Sequence, residues 1–236
     1  MLKLIMIDTH AHLEKIVPSD LGKLKYIVLA GSCREDSVKN IELAKIDKRI
    51  IAAVGVHPQE KYEDISDLVK KAKAIGECGL DYSRGIDKKQ IKFFKNQIEL
   101  AQKYKLPLII HARKAVDETI EILKEYKNLR GVFHCYAGGK KRIKKILELE
   151  EAWYFGIDGN LTYELGLEEV VLNIPKDRLV LETDCPWLTP VPYRGKKNKP
   201  KYIKYIYKKV AEIWKMSFDE TEKIIDKNAK RLFQIT

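Results

Sequence analysis

Long apolar runs are missing from this chain of 236 residues. No stretch approaches the ~20 apolar residues that a membrane-spanning helix needs, so no membrane partner is expected. The short apolar run at 2–7 meets an acid at Asp8 and lacks the length of a signal-peptide core, which points to a cytoplasmic protein. Cysteine is sparse: Cys33, Cys78, Cys135 and Cys185 form no C-x-x-C pair. At this length that excludes a disulfide framework and leaves reduced thiols. Linkers rich in Pro, Gly or Ser, internal repeats and low-complexity segments are also lacking, so one domain over 1–236 is expected. Acid is in deficit, with 34 Asp and Glu against 45 Lys and Arg, a net charge of +11. That balance favours an anionic partner, nucleic acid first, although solvated helix faces such as 140–145 give the same excess.

What is present is a regular alternation. Apolar runs of strand length occur at 2–7, 26–30, 50–56, 73–79, 107–112, 131–136, 153–157 and 179–182. They are nearly continuous rather than strictly alternating, as parallel strands buried on both faces should be. Helical periodicity fills 34–48, 88–104, 115–126 and 140–149, and returns at 202–215 and 218–227. Eight strands alternating with helices predict an α/β fold, a single (β/α)8 TIM barrel, with stunted first and third crossovers.

The five histidines are His10, His12, His57, His111 and His134. Each stands at or just past the end of a predicted strand, and the C-terminal strand ends of such a barrel form its active site. His10 and His12 are two apart, so on an extended segment they point the same way, with Asp8 on that face. The same spacing recurs in His111-Ala112-Arg113 and in Glu182-Thr183-Asp184, and Glu77, Gly79 and Asp81 share a face of the fourth strand. Imidazole with carboxylate suits Zn, Mn, Fe or Ni. Six ligand candidates exceed one tetrahedral ion but suffice for two ions sharing a carboxylate, the arrangement that clamps both oxygens of a phosphoryl displacement. One histidine at a strand end is commonly a structural residue, and His57, followed by Pro58, admits that role as well as a substrate contact.

The motifs resemble those of the TatD family of metal-dependent deoxyribonucleases, among the amidohydrolase-like barrels. They are Asp8-Thr9-His10-Ala11-His12, Gly55-Val56-His57-Pro58, Gly76-Glu77-Cys78-Gly79-Leu80-Asp81-Tyr82 and His111-Ala112-Arg113. His134-Cys135-Tyr136-Ala137-Gly138, Glu182-Thr183-Asp184-Cys185-Pro186-Trp187-Leu188 and the stretch from Pro192 to Pro200 follow in family order. The resemblance implies that His10, His12, Glu77 and Asp184 hold one divalent ion, and Glu77, His111 and His134 a second, with Glu77 bridging. Asp184 would orient the water and carry its proton, and a metal-activated hydroxide would cleave phosphodiester bonds of DNA exonucleolytically. Family behaviour suggests Mg, whereas four imidazoles suggest a softer ion such as Zn or Mn. Compared with the family the chain is short after His12 and between His57 and Gly76, which leaves the substrate range open. Cys78 stands where the family is usually apolar, and packing is its expected role.

Three cations are assigned on chemistry. Arg113 lies two residues from His111 on the same face and can clamp a phosphate, or else form an ion pair with Asp81 or Glu182. Arg194 and Lys196, beside Lys197, sit in a Pro-containing loop after the last strand that could track a nucleic-acid backbone. A C–N or ester hydrolase of the amidohydrolase type, including a deacylase of aminoacyl-tRNA, is the alternative. Such barrels often bridge their metals with a carbamylated lysine on the fourth strand, where this chain offers Glu77. A non-catalytic nucleic-acid binder would not need the full ligand set. A monomer is the expected state.

Overall fold

The structure is a computed structural model that describes residues 6–15, 17–149 and 152–236. Eight parallel strands follow one another around a single sheet in chain order: β1 (Ile7–Ala11), β2 (Tyr26–Leu29), β3 (Ile50–Val54), β4 (Ala74–Asp81), β5 (Leu108–Arg113), β6 (Gly131–Phe133), β7 (Trp153–Ile157) and β8 (Leu179–Leu181). The sheet curls on itself. An Ala11–Cys185 bridge, with His12 N donating to Cys185 O (2.7 Å) and Asp184 N to His10 O (2.9 Å), joins the end of β1 to the segment after β8. This is the expected TIM barrel. The first strand begins later than the apolar run at 2–7, most of which lies outside the described residues.

The helices are α1 (Pro18–Leu21), α2 (Arg34–Ile46), α3 (Lys89–Tyr104), α4 (Val116–Lys124), α5 (Lys140–Leu147), α6 (Leu167–Asn173), α7 (Ile203–Trp214) and α8 (Phe218–Phe233). The first crossover carries only the four-residue α1, and the third only a 3-10 turn at Val69–Lys71. The seven-residue α6 has no counterpart in the sequence reading. α8 runs six residues past the expected end at 227; it starts in a Ser217/Glu220 capping box.

Strand side chains alternate between two layers. Leu108, Ile110, Phe133, Trp153, Phe155, Leu179 and Leu181 face outward and pack under the helices. Ile109, Val132, Tyr154 and Val180 face the barrel interior with Ile7, Val28 and Ala53. The C-terminal turns of α8 close the floor, where Ala229, Leu232 and Phe233 join this inner cluster. All four cysteines are free; Cys78 is fully buried, its thiol 3.7 Å from Ile109 O, as packing requires. Among the described residues no helix is long and apolar enough to cross a membrane.

Candidate metal centre

Every expected ligand reaches one place at the C-terminal end of the strands. Glu77, 5% exposed, stands at the middle. Its Oε2 faces His10 Nε2 and His12 Nε2, each at 3.4 Å. Its Oε1 faces His111 Nδ1 at 2.7 Å and His134 Nε2 at 2.9 Å. Asp184 Oδ1 lies 3.5 Å from His10 Nε2 and 3.7 Å from His12 Nε2. The backbone explains the approach of β4 to β5. A Cβ on Gly79 (φ +141°) would stand 2.0 Å from His111 O, so only glycine lets the two strands come this close.

The separations fit cations. Ligands about 2.0–2.2 Å from one ion at tetrahedral angles stand ~3.3–3.6 Å apart. The Nε2 atoms of His10 and His12 are 2.9 Å apart, each 3.4 Å from Glu77 Oε2 and 3.5 or 3.7 Å from Asp184 Oδ1. Glu77, His111 and His134 form a second such group, with 3.3 Å between the two imidazoles. The donor chemistry agrees. His111 Nε2 donates to Asp81 Oδ2 (3.0 Å), so a neutral ring would turn the Nδ1 lone pair onto Glu77 Oε1. A second proton or a cation must stand between them. Burial disfavours charge on His111, but the Asp81 and Glu77 carboxylates prevail and raise its pKa. Burial opposes charge on His134 too, yet Glu77 and Glu182 hold it well above the usual imidazole range. Burial would raise Glu77, and the surrounding imidazoles drive it well below the carboxylate range instead. These protons occupy positions that a divalent ion would take.

His57 differs from the other four. Its Nδ1 accepts from Gln59 N–H at 3.1 Å, so the neutral ring carries its proton on Nε2, 3.6 Å from Glu77 Oε1. Burial lowers its pKa to about 4. A neutral ring with Nε2–H toward the cluster is a hydrogen-bond donor and not a metal ligand. The grouping of His57 with Asp81 and His111 is close enough for an ion, but its proton and the Asp81–His111 bond already occupy those atoms.

The carboxylates behind the cluster carry the outer contacts. Asp81 accepts from Ser83 N–H (2.8 Å) as well as from His111. Glu182, fully buried, accepts from Cys135 N–H at 2.5 Å and faces His134 Nδ1 at 3.4 Å. Asp8 does not join the ligands; it accepts from Thr183 N–H (2.9 Å) and hydroxyl (2.6 Å), tying β1 to β8, and burial pushes its pKa up to about 8. Burial likewise lifts Asp184 to about 7, with the Glu77 charge adding to the rise and His134 opposing it.

Among the described residues the expected substrate cations form no ion pair with this cluster. Arg113 is exposed, and neither ion pair considered for it forms, because Asp81 and Glu182 are engaged as above. Arg194 lies over the Tyr163 ring at 3.9 Å, and Lys196 is 5.8 Å from the Tyr193 ring. The roles of Asp81 and Trp187 were not assigned from sequence. Asp81 shares the inward face with Glu77, which was the available signal. Trp187 is 57% exposed with its ring 5.2 Å from that of His12, and nothing local in the sequence distinguishes it from a buried tryptophan.

Comparison with known proteins agrees with this geometry. Residues 7–234 match the family described as TatD related DNase. An uncharacterized metal-dependent hydrolase of Bacillus subtilis, YabD, is 37% identical, over 98% of this chain and all of that protein. The fold superposes on YJJV, a TatD homolog of Escherichia coli, with a TM-score of 0.88 at 24% identity, and on a TatD family hydrolase of Entamoeba histolytica with 0.84 at 25%; both comparisons span the whole of each chain. With the motifs in order, the barrel closed and one carboxylate set between four imidazoles, the chain belongs to the TatD family.

Proposed function

We propose that this protein is a divalent-metal-dependent phosphodiesterase acting on DNA, with two ions sharing Glu77. The observation that carries the reading is the division of labour on that carboxylate, one oxygen toward His10 and His12, whose Nε2 atoms Asp184 also faces, the other toward His111 and His134. Bound divalent ions supply Lewis-acid activation of water and of the phosphodiester. The residues then divide as follows. His10, His12, Glu77 and Asp184 would hold one ion; Glu77, His111 and His134 would hold the other. Asp184, at the edge of the cluster with its side chain 14% exposed, would accept the proton of the attacking water. His57 offers its Nε2–H to a substrate oxygen. DNA as substrate is supported by the family description and by the net charge of +11. Arg113, Arg194 and Lys196 would contact the phosphate backbone beyond the scissile bond, a role that their exposure supports.

The test is activity of the purified chain after chelation and re-addition of Mg, Mn or Zn singly, with bound metal counted. Single-stranded DNA, duplex DNA, an amide and an aminoacyl-tRNA are the substrates. Metal-restored cleavage of DNA is expected. Restored cleavage of the amide or the aminoacyl ester alone would move the chain to the other hydrolase class, and DNA binding without any hydrolysis would make it a binder.

A further inference from the structure

A cavity of about 430 Å³ opens beside the candidate metal centre, bounded at one end by His12. It lies between the segment after β1, the loop from β2 to α2 and the loop after β8. The first crossover, reduced to α1, forms one wall. Its size is that of a small-molecule site, ~300–1,000 Å³. Leu13, Val17, Pro186 and Trp187 supply apolar lining, and Lys15, Lys39 and Lys197 bring cations to it. The acids there are largely engaged: Asp20 pairs with Lys199 (2.9 Å) and Lys201 (3.5 Å), and Asp36 accepts the Ser32 hydroxyl, leaving Glu14 exposed.

Trp187 is the notable wall. A 57%-exposed indole forgoes hydrophobic burial, yet the turn beneath this one is anchored. Asn198, 4% exposed, donates its Nδ2–H to Thr183 O (2.9 Å) and Trp187 O (2.5 Å), and its own N–H bonds to Pro186 O (3.0 Å). Trp187 N–H in turn bonds to Asp184 O at 3.0 Å. The turn that carries Asp184 to the metal ligands therefore also fixes the backbone of Trp187, and the His12 ring meets the indole at 66°, 5.2 Å between centroids. An exposed aromatic on an anchored turn, an apolar cavity that reaches His12 and lysines lining the same cavity suit a flat heteroaromatic attached to a phosphate.

We infer that this cavity is a nucleobase subsite, in which the base of the nucleotide next to the scissile phosphate stacks on Trp187 while its own phosphate reaches the lysines. The inference rests on the phosphodiesterase reading and adds to it the residue that selects a nucleotide over any other diester.

Two diesters with the same leaving group separate the two claims: thymidine 5′-(4-nitrophenyl phosphate) and methyl 4-nitrophenyl phosphate. With the metal-loaded enzyme, kcat/KM should favour the thymidine ester. Trp187→Ala should cut that preference about tenfold or more, through KM, and Trp187→Phe should restore most of it. Circular dichroism and bound metal serve as controls for folding. Equal loss on both esters, or an unaltered preference, would overturn the subsite. If the wild-type enzyme cleaves neither these esters nor DNA, the phosphodiesterase reading falls; where the esters alone are inert it stands, and in both cases fluorescence decides the subsite. Trp153 and Trp214 are buried, so saturable quenching by thymidine monophosphate that vanishes in Trp187→Ala supports it, and absence of saturable quenching sinks it.

Discussion

At the floor of the barrel Ile109, Val132, Tyr154 and Val180 point inward and meet Ala229, Leu232 and Phe233 of α8. Two residues further along the same four strands, the inward positions belong to His111, His134, Gly156 and Glu182. The strands are the same, the side-chain period is the same, and only the height differs. Below, apolar side chains exclude water and hold the strands together. Above, imidazoles and carboxylates gather within hydrogen-bond distance and share protons. Gly156 is the transition between them: a Cβ there would stand 2.2 Å from Glu182 Oε2, so the missing side chain is what admits a buried carboxylate beneath the cluster. Height in the barrel, rather than which strand a residue belongs to, sets its chemistry.

If that division holds, substitutions at the two ends should fail differently. Glu77→Gln should have the largest effect at the mouth. Both proposed ions lose their shared ligand, so DNA hydrolysis is expected to fall by roughly 10³-fold or more, with bound metal lost by elemental analysis and the far-ultraviolet circular dichroism retained. Phe233→Ala should do the opposite. Removing a side chain 1% exposed from the floor should lower unfolding free energy by ~3–5 kcal/mol in urea, while the folded fraction keeps its metal and its KM. A floor variant that lost metal without losing stability would break the comparison.

The mouth was more legible than the floor, for a physical reason. Histidines at strand ends are rare and each carries its own signal, so residue type and spacing bring His10, His12, His111 and His134 to one end of the barrel, while the family resemblance singles out Glu77 and Asp184 as their partners. The floor depends on α8 continuing past 227, and there Asn228 interrupts the apolar pattern. Asn228 turns out to bond to Lys176 O (2.8 Å) and Leu179 O (2.7 Å), tertiary partners that no local pattern reveals, and Ala229, Leu232 and Phe233 follow it into the interior. The seven residues of α6 are too few to show a helical period. Tertiary placement also decides the cations. Arg113, two residues from His111, was as close in sequence as a ligand pair, yet its side chain runs out to solvent.

Asp226, an ionisable group at the floor, sharpens the contrast by its sign. Asp226 Oδ1 accepts from Tyr207 hydroxyl at 2.7 Å, and that hydroxyl also accepts from Ile7 N–H at 3.2 Å. Burial raises Asp226 to about 7, with Glu222 adding to the rise and Tyr207 opposing it. A carboxyl whose folded pKa lies above its unfolded value holds its proton in the native state and releases it on unfolding. Its contribution is therefore complete at low pH and is lost as pH climbs from about 4 to about 7, at up to ~1.4 kcal/mol per pH unit. Asp226→Asn should flatten that part of the stability curve relative to wild type. Parallel urea titrations at pH 5 and pH 8 would show it, and identical differences for both proteins would refute the assignment.

The smallest effect tests how the mouth is held rather than what it holds. Asp81 uses both oxygens: Oδ1 accepts Ser83 N–H and Oδ2 accepts His111 Nε2–H. That bond keeps the Nδ1 lone pair of His111 turned toward Glu77 and a cation, the usual service of a carboxylate behind a ligand histidine. Asp81→Ala should weaken metal binding and hydrolysis by roughly 10–100-fold. Asp81→Asn is nearly isosteric, and it should recover little. With Oδ1 still anchored by Ser83 N–H, the new amide nitrogen faces His111 Nε2 as a donor against a donor. The ring can satisfy it only by moving its proton to Nδ1, which removes the lone pair the ion needs. Metal affinity of the two variants, measured by competition with a chelator, distinguishes this from simple packing: if Asn binds metal as wild type does, Asp81 fills space and does not set the tautomer.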